Sequence, residues 1–207
     1  EEMQHISIQF LHLTNKHTEL TPMLNDFVDA IGKIVDCEAI GIRILDEEGN
    51  IPYNIYKGFS QEFYELESPL TIHSDQCMCI NVIKGAIDPE LPFYTEYGSF
   101  YMNGTTRFLA TVSEEDKGKT RNVCNSEGYE SVALIPIRIN NILGLIHLAD
   151  RRENMVPLET VKKIELIAAQ LGTAINRVHL EEKLRDSLKQ YKIITDNTRD
   201  TVWLMDM

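Results

Sequence analysis

The chain has 207 residues and a hydrophobic content of 43%, enough for one sizeable core with appended segments and too much for a disordered polymer. Lys plus Arg total 20 against 32 Asp plus Glu, a net charge of -12, which repels phosphate backbones and anionic headgroups and sets nucleic acid and membrane surfaces aside as partners. No apolar run approaches the roughly 20 residues of a membrane helix. The opening "EEMQHISIQF" lacks the basic and apolar regions of a signal peptide, and four cysteines are too few for a disulfide framework, so a cytoplasmic chain with free thiols is expected.

In chain order, Ile6, Phe10 and Leu13 recur at helical spacing within residues 3–16. Leu20, Leu24, Phe27, Val28, Ile31 and Ile34 form a second amphipathic stretch, with Thr21 before Pro22 as its start. "EAIGIRILDEEGNIPYNIYKGF" predicts two strands around the acidic turn from Asp46 to Asn50. Residues 60–130 are irregular: short helical pieces alternate with Gly, Pro and Asn, and aromatics gather at Phe93, Tyr94, Tyr97, Phe100 and Tyr101. So long an irregular stretch in a compact domain is expected to be functional. "SVALIPIRINNILGLIHLADRR" returns to strand character around an Asn140-Asn141 turn. From Leu158 a long helix is predicted, with Val161, Ile164, Ala168, Leu171, Ile175 and Val178 as a seam for a partner helix. The seam breaks at Glu182 and resumes out of step at Leu184, Leu188 and Tyr191, which predicts an exposed connector. Trp203, Leu204 and Met205 then stand in strand-like order, as at the start of another domain.

The order helix, hairpin, irregular lid, "ESVALIPIRINNILGLIHLAD" hairpin and long helix "LETVKKIELIAAQLGTAINR" resembles the GAF domain of signalling proteins over residues 20–180. The resemblance implies an α+β fold: an antiparallel sheet with helices on one face, a lid and small-molecule pocket on the other, and long N- and C-terminal helices. "LRDSLKQYKIITDNTRDTVWLMDM" resembles the opening of a PAS domain. The implied organisation is an N-terminal signalling helix (1–18), a GAF sensory domain (19–180), a connector helix (181–194) and the start of a PAS domain (195–207). GAF followed by PAS is an arrangement of sensor histidine kinases, and "CMCINVIKG" with "CNSEGYESVALIPIR" resembles a subgroup of bacterial and archaeal sensor kinases. The "NKFDE"-type residues of cyclic-nucleotide-binding members have no counterpart, so that ligand is not carried over.

The chemistry-bearing residues cluster around sulfur. With Ser74 as N-cap, Cys77 falls in the first turn of a helix, where the macrodipole favours thiolate. Cys79, Val82, Ile83 and Ala86 then share the inner face, while Cys77 points about 200° away. A metal such as zinc would instead need a turn at residues 76–79, with Cys77, Cys79, Cys124 and His73 or His147 as ligands. Haem, held by a thiolate or imidazole in an aromatic-walled pocket, is a second reading, although no C-x-x-C-H motif is present. Redox-active thiols are a third, and plain core packing is the bland alternative, to which Cys37 belongs. Phe100 and Tyr101 are candidate pocket walls, Arg121 and Asn125 candidate anchors for an anionic group beside Cys124, and His147 a strand residue that faces either core or pocket. His5, His12 and His17 are expected to face solvent, and "HLEEKL" at His179 lacks the phosphoacceptor pattern of kinases. No phosphate-binding glycine loop, nucleophile elbow or His-Glu-x-x-His helix occurs. The expectation is a non-catalytic signal-input domain of a sensor histidine kinase or related two-component receptor. It would sense a small ligand, cofactor or redox state and signal as a homodimer through its terminal helices to downstream PAS and kinase domains. The alternatives are an enzyme of the GAF-type methionine sulfoxide reductase kind, or a ligand-free dimerisation relay.

Overall fold

The computed structural model describes the backbone of residues 2–203 and the side chains of residues 3–195. Helices α1 (Glu2–Lys16) and α2 (Leu20–Gly32) lead into strands β1 (Ala39–Ile44), β2 (Asn50–Ile51) and β3 (Tyr53–Lys57). The irregular stretch holds α3 (Gln61–Glu67), β4 (Leu70–Thr71), α4 (Met78–Lys84), β5 (Phe100–Asn103), α5 (Thr105–Thr111), α6 (Glu114–Lys117) and α7 (Val123–Ser126). The hairpin of β6 (Ser131–Arg138) and β7 (Ile142–Asp150) and the long α8 (Leu158–Trp203) complete the chain. The fold is α+β, with a five-stranded sheet in the order β3-β1-β7-β6-β5, every pairing antiparallel.

Side chains alternate across a strand with period two, and here both faces are covered, which is why β6 and β7 read as nearly unbroken apolar runs. One face presents Ile40, Ile42, Ile135, Ile137, Ile146 and Leu148 to α1, α2 and α8. Phe10 of α1 meets Phe27 of α2 there, ring centroids 5.2 Å apart. The other face presents Ala39, Val132, Leu134 and Leu145 to the lid built from α3, α4 and α5 with their loops. The register Gly41↔His147↔Leu134 places His147 of β7 on this lid side as well.

The seam of α8 is fully buried: Val161, Ile164, Ala168, Leu171, Ile175 and Val178 are each 0% exposed. It packs on the sheet of its own chain, not on a second chain's helix, which corrects the expectation of a dimer through these residues. A three-and-four apolar spacing defines a sticky helix face but not the shape of what covers it. Arg177 of α8 donates to the carbonyls of Thr14 and His17 and so satisfies the open end of α1, and Gln170 Nε2 donates to Ser7 Oγ at 2.6 Å. A different stripe, with Leu180, Leu184, Leu188 and Tyr191 of α8, stays exposed. α8 continues through the expected connector, and Trp203 is helical where a strand was expected; Leu204 and Met205 lie outside the described residues. Among the described residues no helix is long and apolar enough to cross a membrane.

Candidate functional site: three thiols on one cavity

Two lid segments carry the sulfur atoms. Helix α4 begins one residue later than a first-turn Cys77 requires: Cys77 is its N-cap, extended at φ -151° and ψ 156°, and Gly85 ends it in the left-handed region at φ 64°. The Cys77 carbonyl accepts the first helical N–H groups, from Ile80 at 2.9 Å and Asn81 at 3.1 Å. Because Cys77 lies outside the regular helix, the helical-wheel separation of the two thiols does not apply. Both turn inward, Cys77 to 5% exposure and Cys79 to 0%. Cys124 sits on the short α7, entered from Asn122 in the left-handed conformation at φ 59°. Asn125 Nδ2 ties that segment to α5 through Thr105 Oγ1 at 3.0 Å and Thr106 Oγ1 at 2.8 Å.

Cys77, Cys79 and Cys124 line one cavity of about 50 Å³, floored by Phe100 and Leu134 of the sheet and walled by Phe108, with Asn122 and Asn125 at its rim. Two wider surface grooves, of about 740 and 680 Å³, contain no cysteine. Pockets for drug-sized ligands measure about 300–1,000 Å³. The thiol cavity therefore admits a molecule of very few heavy atoms, and haem does not fit it. Nor does a zinc cage form: among the described residues no group of three or more His, Cys, Asp or Glu side chains could hold a metal ion. His73 is exposed at the β-turn, its Nε2 3.1 Å from the Glu48 carbonyl, and does not join the thiols.

Charge enters from the strand below. Arg43 of β1 is wholly buried on the lid side, its Nε donating to the Ile51 carbonyl at 2.8 Å and its Nη2 to the Glu67 carbonyl. Its Nη1 lies 3.9 Å from Cys79 Sγ and 4.0 Å from Glu67 Oε2, and its guanidinium stands 4.1 Å from the Tyr53 ring centroid. Glu67, at the end of α3, accepts from Arg121 Nη2 on Oε1, whereas its buried Oε2 has no hydrogen-bond partner among the described residues. Burial raises the Glu67 carboxyl, against the pull of Arg121 and Arg43. The hydrogen bond with Cys79 lowers the Cys77 thiol, opposed by burial. Cys79 is pushed up by that same hydrogen bond and by burial, and burial pushes Cys124 up as well. Behind Cys124 stands His147, its Nε2 3.9 Å from the sulfur and its Nδ1 2.7 Å from Tyr53 Oη. Burial, with Arg43 nearby, lowers His147 to about 3, so the imidazole is neutral. Phe59 and Phe63 pack around it.

Cys77, Cys79, Cys124, Phe100 and Asn125 are thus brought together; Arg121 lies beside the cavity, where it latches the lid loop to Glu67. Tyr101 is corrected: it alternates with Phe100 and packs on the helix side of the sheet. Cys37 lies apart, its Sγ 3.8 Å from the Met155 carbonyl, and burial pushes its thiol up to about 12. Sequence reasoning missed Arg43, Glu67 and Tyr53. The available signal for Arg43 was a charge inside the apolar strand "AIGIRI", since buried charges need built partners. Nothing in the pattern around Glu67 distinguishes it from the other acids of its helix.

No protein-family model matches the chain, and no curated protein matches it by sequence. Solved structures do match. A domain of a two-component sensor histidine kinase protein from Sinorhizobium meliloti 1021 aligns with TM-score 0.58 at 17% identity, over 81% of this chain and 97% of that one. The GAF domain of an Acinetobacter phosphoenolpyruvate-protein phosphotransferase aligns with TM-score 0.64 at 12% identity, over 88% and 98%. The fold is that of a GAF domain. Free methionine-R-sulfoxide reductase from Neisseria meningitidis, in complex with its substrate, shares the fold with TM-score 0.63 at 8% identity, over 86% and 91%. At such identities the likeness is one of fold alone.

Proposed function

We propose that this GAF fold is a signal-input domain that reads a small molecule or the redox state at the three-thiol cavity, as part of a sensor kinase or related receptor. The observation that carries the reading is the convergence of Cys77, Cys79 and Cys124 on one cavity beneath the lid. A sensor-kinase domain among the similar structures supports it. α4 packs on β6 and β7, and α8 packs on the opposite face of the same two strands. An occupant that prefers one lid arrangement therefore shifts the packing of α8; one that binds both equally shifts nothing. The exposed stripe of Leu180, Leu184 and Leu188 is the proposed contact with a second copy of the chain, in place of the buried seam. To test the relay, one cavity thiol per chain is alkylated with iodoacetamide and amide exchange is followed along the chain. Altered exchange in α4, β6, β7 and residues 161–178 is expected, and an unchanged α8 overturns the reading.

A second reading, reduction of free methionine sulfoxide, is favoured by the same thiols and by the shared fold of the Neisseria enzyme. Its substrate is larger than the cavity, so the lid would have to open. Turnover of the sulfoxide with dithiothreitol decides for the enzyme; its absence at high enzyme concentration decides against it.

A further inference from the structure

We propose that Cys77 and Cys79 form a hydroperoxide-reactive pair, Cys77 attacking and Cys79 resolving, in the thiol cavity under the lid. The proposal rests on the reading of the thiol cavity as the input site and names its chemistry. Three features carry it. The cavity, about 50 Å³, has room for a small molecule such as hydrogen peroxide. Both sulfurs line it, and Arg43 Nη1, 3.9 Å from Cys79 Sγ, places a fixed positive charge beside the pair. The pair is also asymmetric: the shared hydrogen bond favours the thiolate on Cys77 and keeps the proton on Cys79.

In the first step the Cys77 thiolate attacks one peroxide oxygen. An S–O bond forms, the O–O bond breaks, and the departing hydroxide takes up a proton to become water. Cys77 is then a sulfenic acid. In the second step the Cys79 sulfur attacks the Cys77 sulfur, the S–S bond forms, the S–O bond breaks, and the hydroxyl leaves as water with the Cys79 proton. The sum is two thiols and one hydrogen peroxide giving one disulfide and two waters. Closing this short ring pulls on the first turn of α4, whose opening hydrogen bonds both end on the Cys77 carbonyl. The oxidised state therefore differs from the reduced one in the lid element that rests on β6 and β7.

The test treats the intact chain with one equivalent of hydrogen peroxide, blocks the remaining thiols by alkylation under denaturing conditions, and reads mass and peptide position. The parent is expected to lose two hydrogens and two alkylation sites, both within residues 58–84. Cys79→Ala should stop at a sulfenic acid that dimedone traps on Cys77, and Cys124→Ala should behave as the parent. Cys77→Ala should react more slowly by about tenfold or more, and Cys77→Ser serves where the alanine variant does not fold. A Cys77→Ala or Cys77→Ser variant that reacts at the parent's rate, a disulfide that includes Cys124, or a parent inert to peroxide overturns the proposal. If peroxide does nothing while alkylation of a cavity thiol still alters α8, this chemistry fails and the input-site reading stands. If the disulfide forms and α8 exchange stays fixed, the chemistry stands and the input-site reading fails.

Discussion

Arg43→Met removes the cation that strand β1 places under the lid thiols while keeping most of the side-chain volume. Arg43 is wholly buried and serves two backbone carbonyls, of Ile51 and Glu67, besides facing the Glu67 carboxylate. Breaking a buried ion pair from one side costs about 3–5 kcal/mol, because the surviving charge is left without compensation. Each orphaned buried carbonyl costs about 1–3 kcal/mol if water does not reach it. Arg121 remains on Glu67 and limits the first cost, since its own side chain is 35% exposed and stays partly hydrated. The expected net loss is about 3–5 kcal/mol, a large fraction of the roughly 5–15 kcal/mol by which domains are stable. Equilibrium urea unfolding of the parent and the variant measures it. Arg43→Met combined with Glu67→Leu should recover part of the loss, because no buried charge is then left unpaired. A single variant within about 1 kcal/mol of the parent would refute the claim that Arg43 is held by these buried contacts.

Other outcomes follow from the same packing. His147 is lowered to about 3 by burial and by Arg43, below its usual 6.5, so the unfolded chain gains a proton first as pH falls. Stability from this group is complete above about 6.5 and lost at roughly 1.4 kcal/mol per pH unit below it, down to the folded value; urea midpoints of His147→Asn should lack this slope, and an unchanged slope contradicts the assignment. Ile175→Asp puts a charge into the core between α8 and the sheet, and should unfold the chain, at a cost of about 4 kcal/mol or more, with loss of the far-ultraviolet circular dichroism signal. A folded monomer would restore the discarded seam interface. Leu184→Lys with Leu188→Lys should instead leave the thermal midpoint within a few degrees and shift sedimentation equilibrium toward monomer, the opposite of what a structural role in the domain core gives.

The fold was legible because its information is periodic. The β6 and β7 runs, the Asn140-Asn141 turn and the three-and-four spacing from Val161 to Val178 each report a local geometry that the structure keeps. What covers a periodic face was not legible, and the seam of α8 was assigned to a second chain although the sheet of its own chain takes it. The site was legible where residues stand close in sequence, as at Cys77 and Cys79. Their orientation was misjudged by three residues of helix start, because Cys77 rather than Ser74 is the N-cap, which takes Cys77 out of the regular helix that a wheel argument assumes. Tyr101 shows the same sensitivity in a strand, where adjacent residues face opposite layers. Arg43 and Glu67 come together across 24 positions, a contact that only the closed lid reveals.

Three sulfur atoms share one small space under the lid. Iodoacetamide, which adds four heavy atoms to a thiol as a thioether that a neighbouring thiol does not displace, tests this most directly when reacted with the native chain and mapped by peptide mass spectrometry. One adduct per chain is expected among Cys77, Cys79 and Cys124, each modification excluding the other two because the first fills the cavity, with all three reactive after unfolding. Native chains carrying two or three adducts on these residues, acquired independently and without loss of structure, would show that the sulfurs do not face a common cavity.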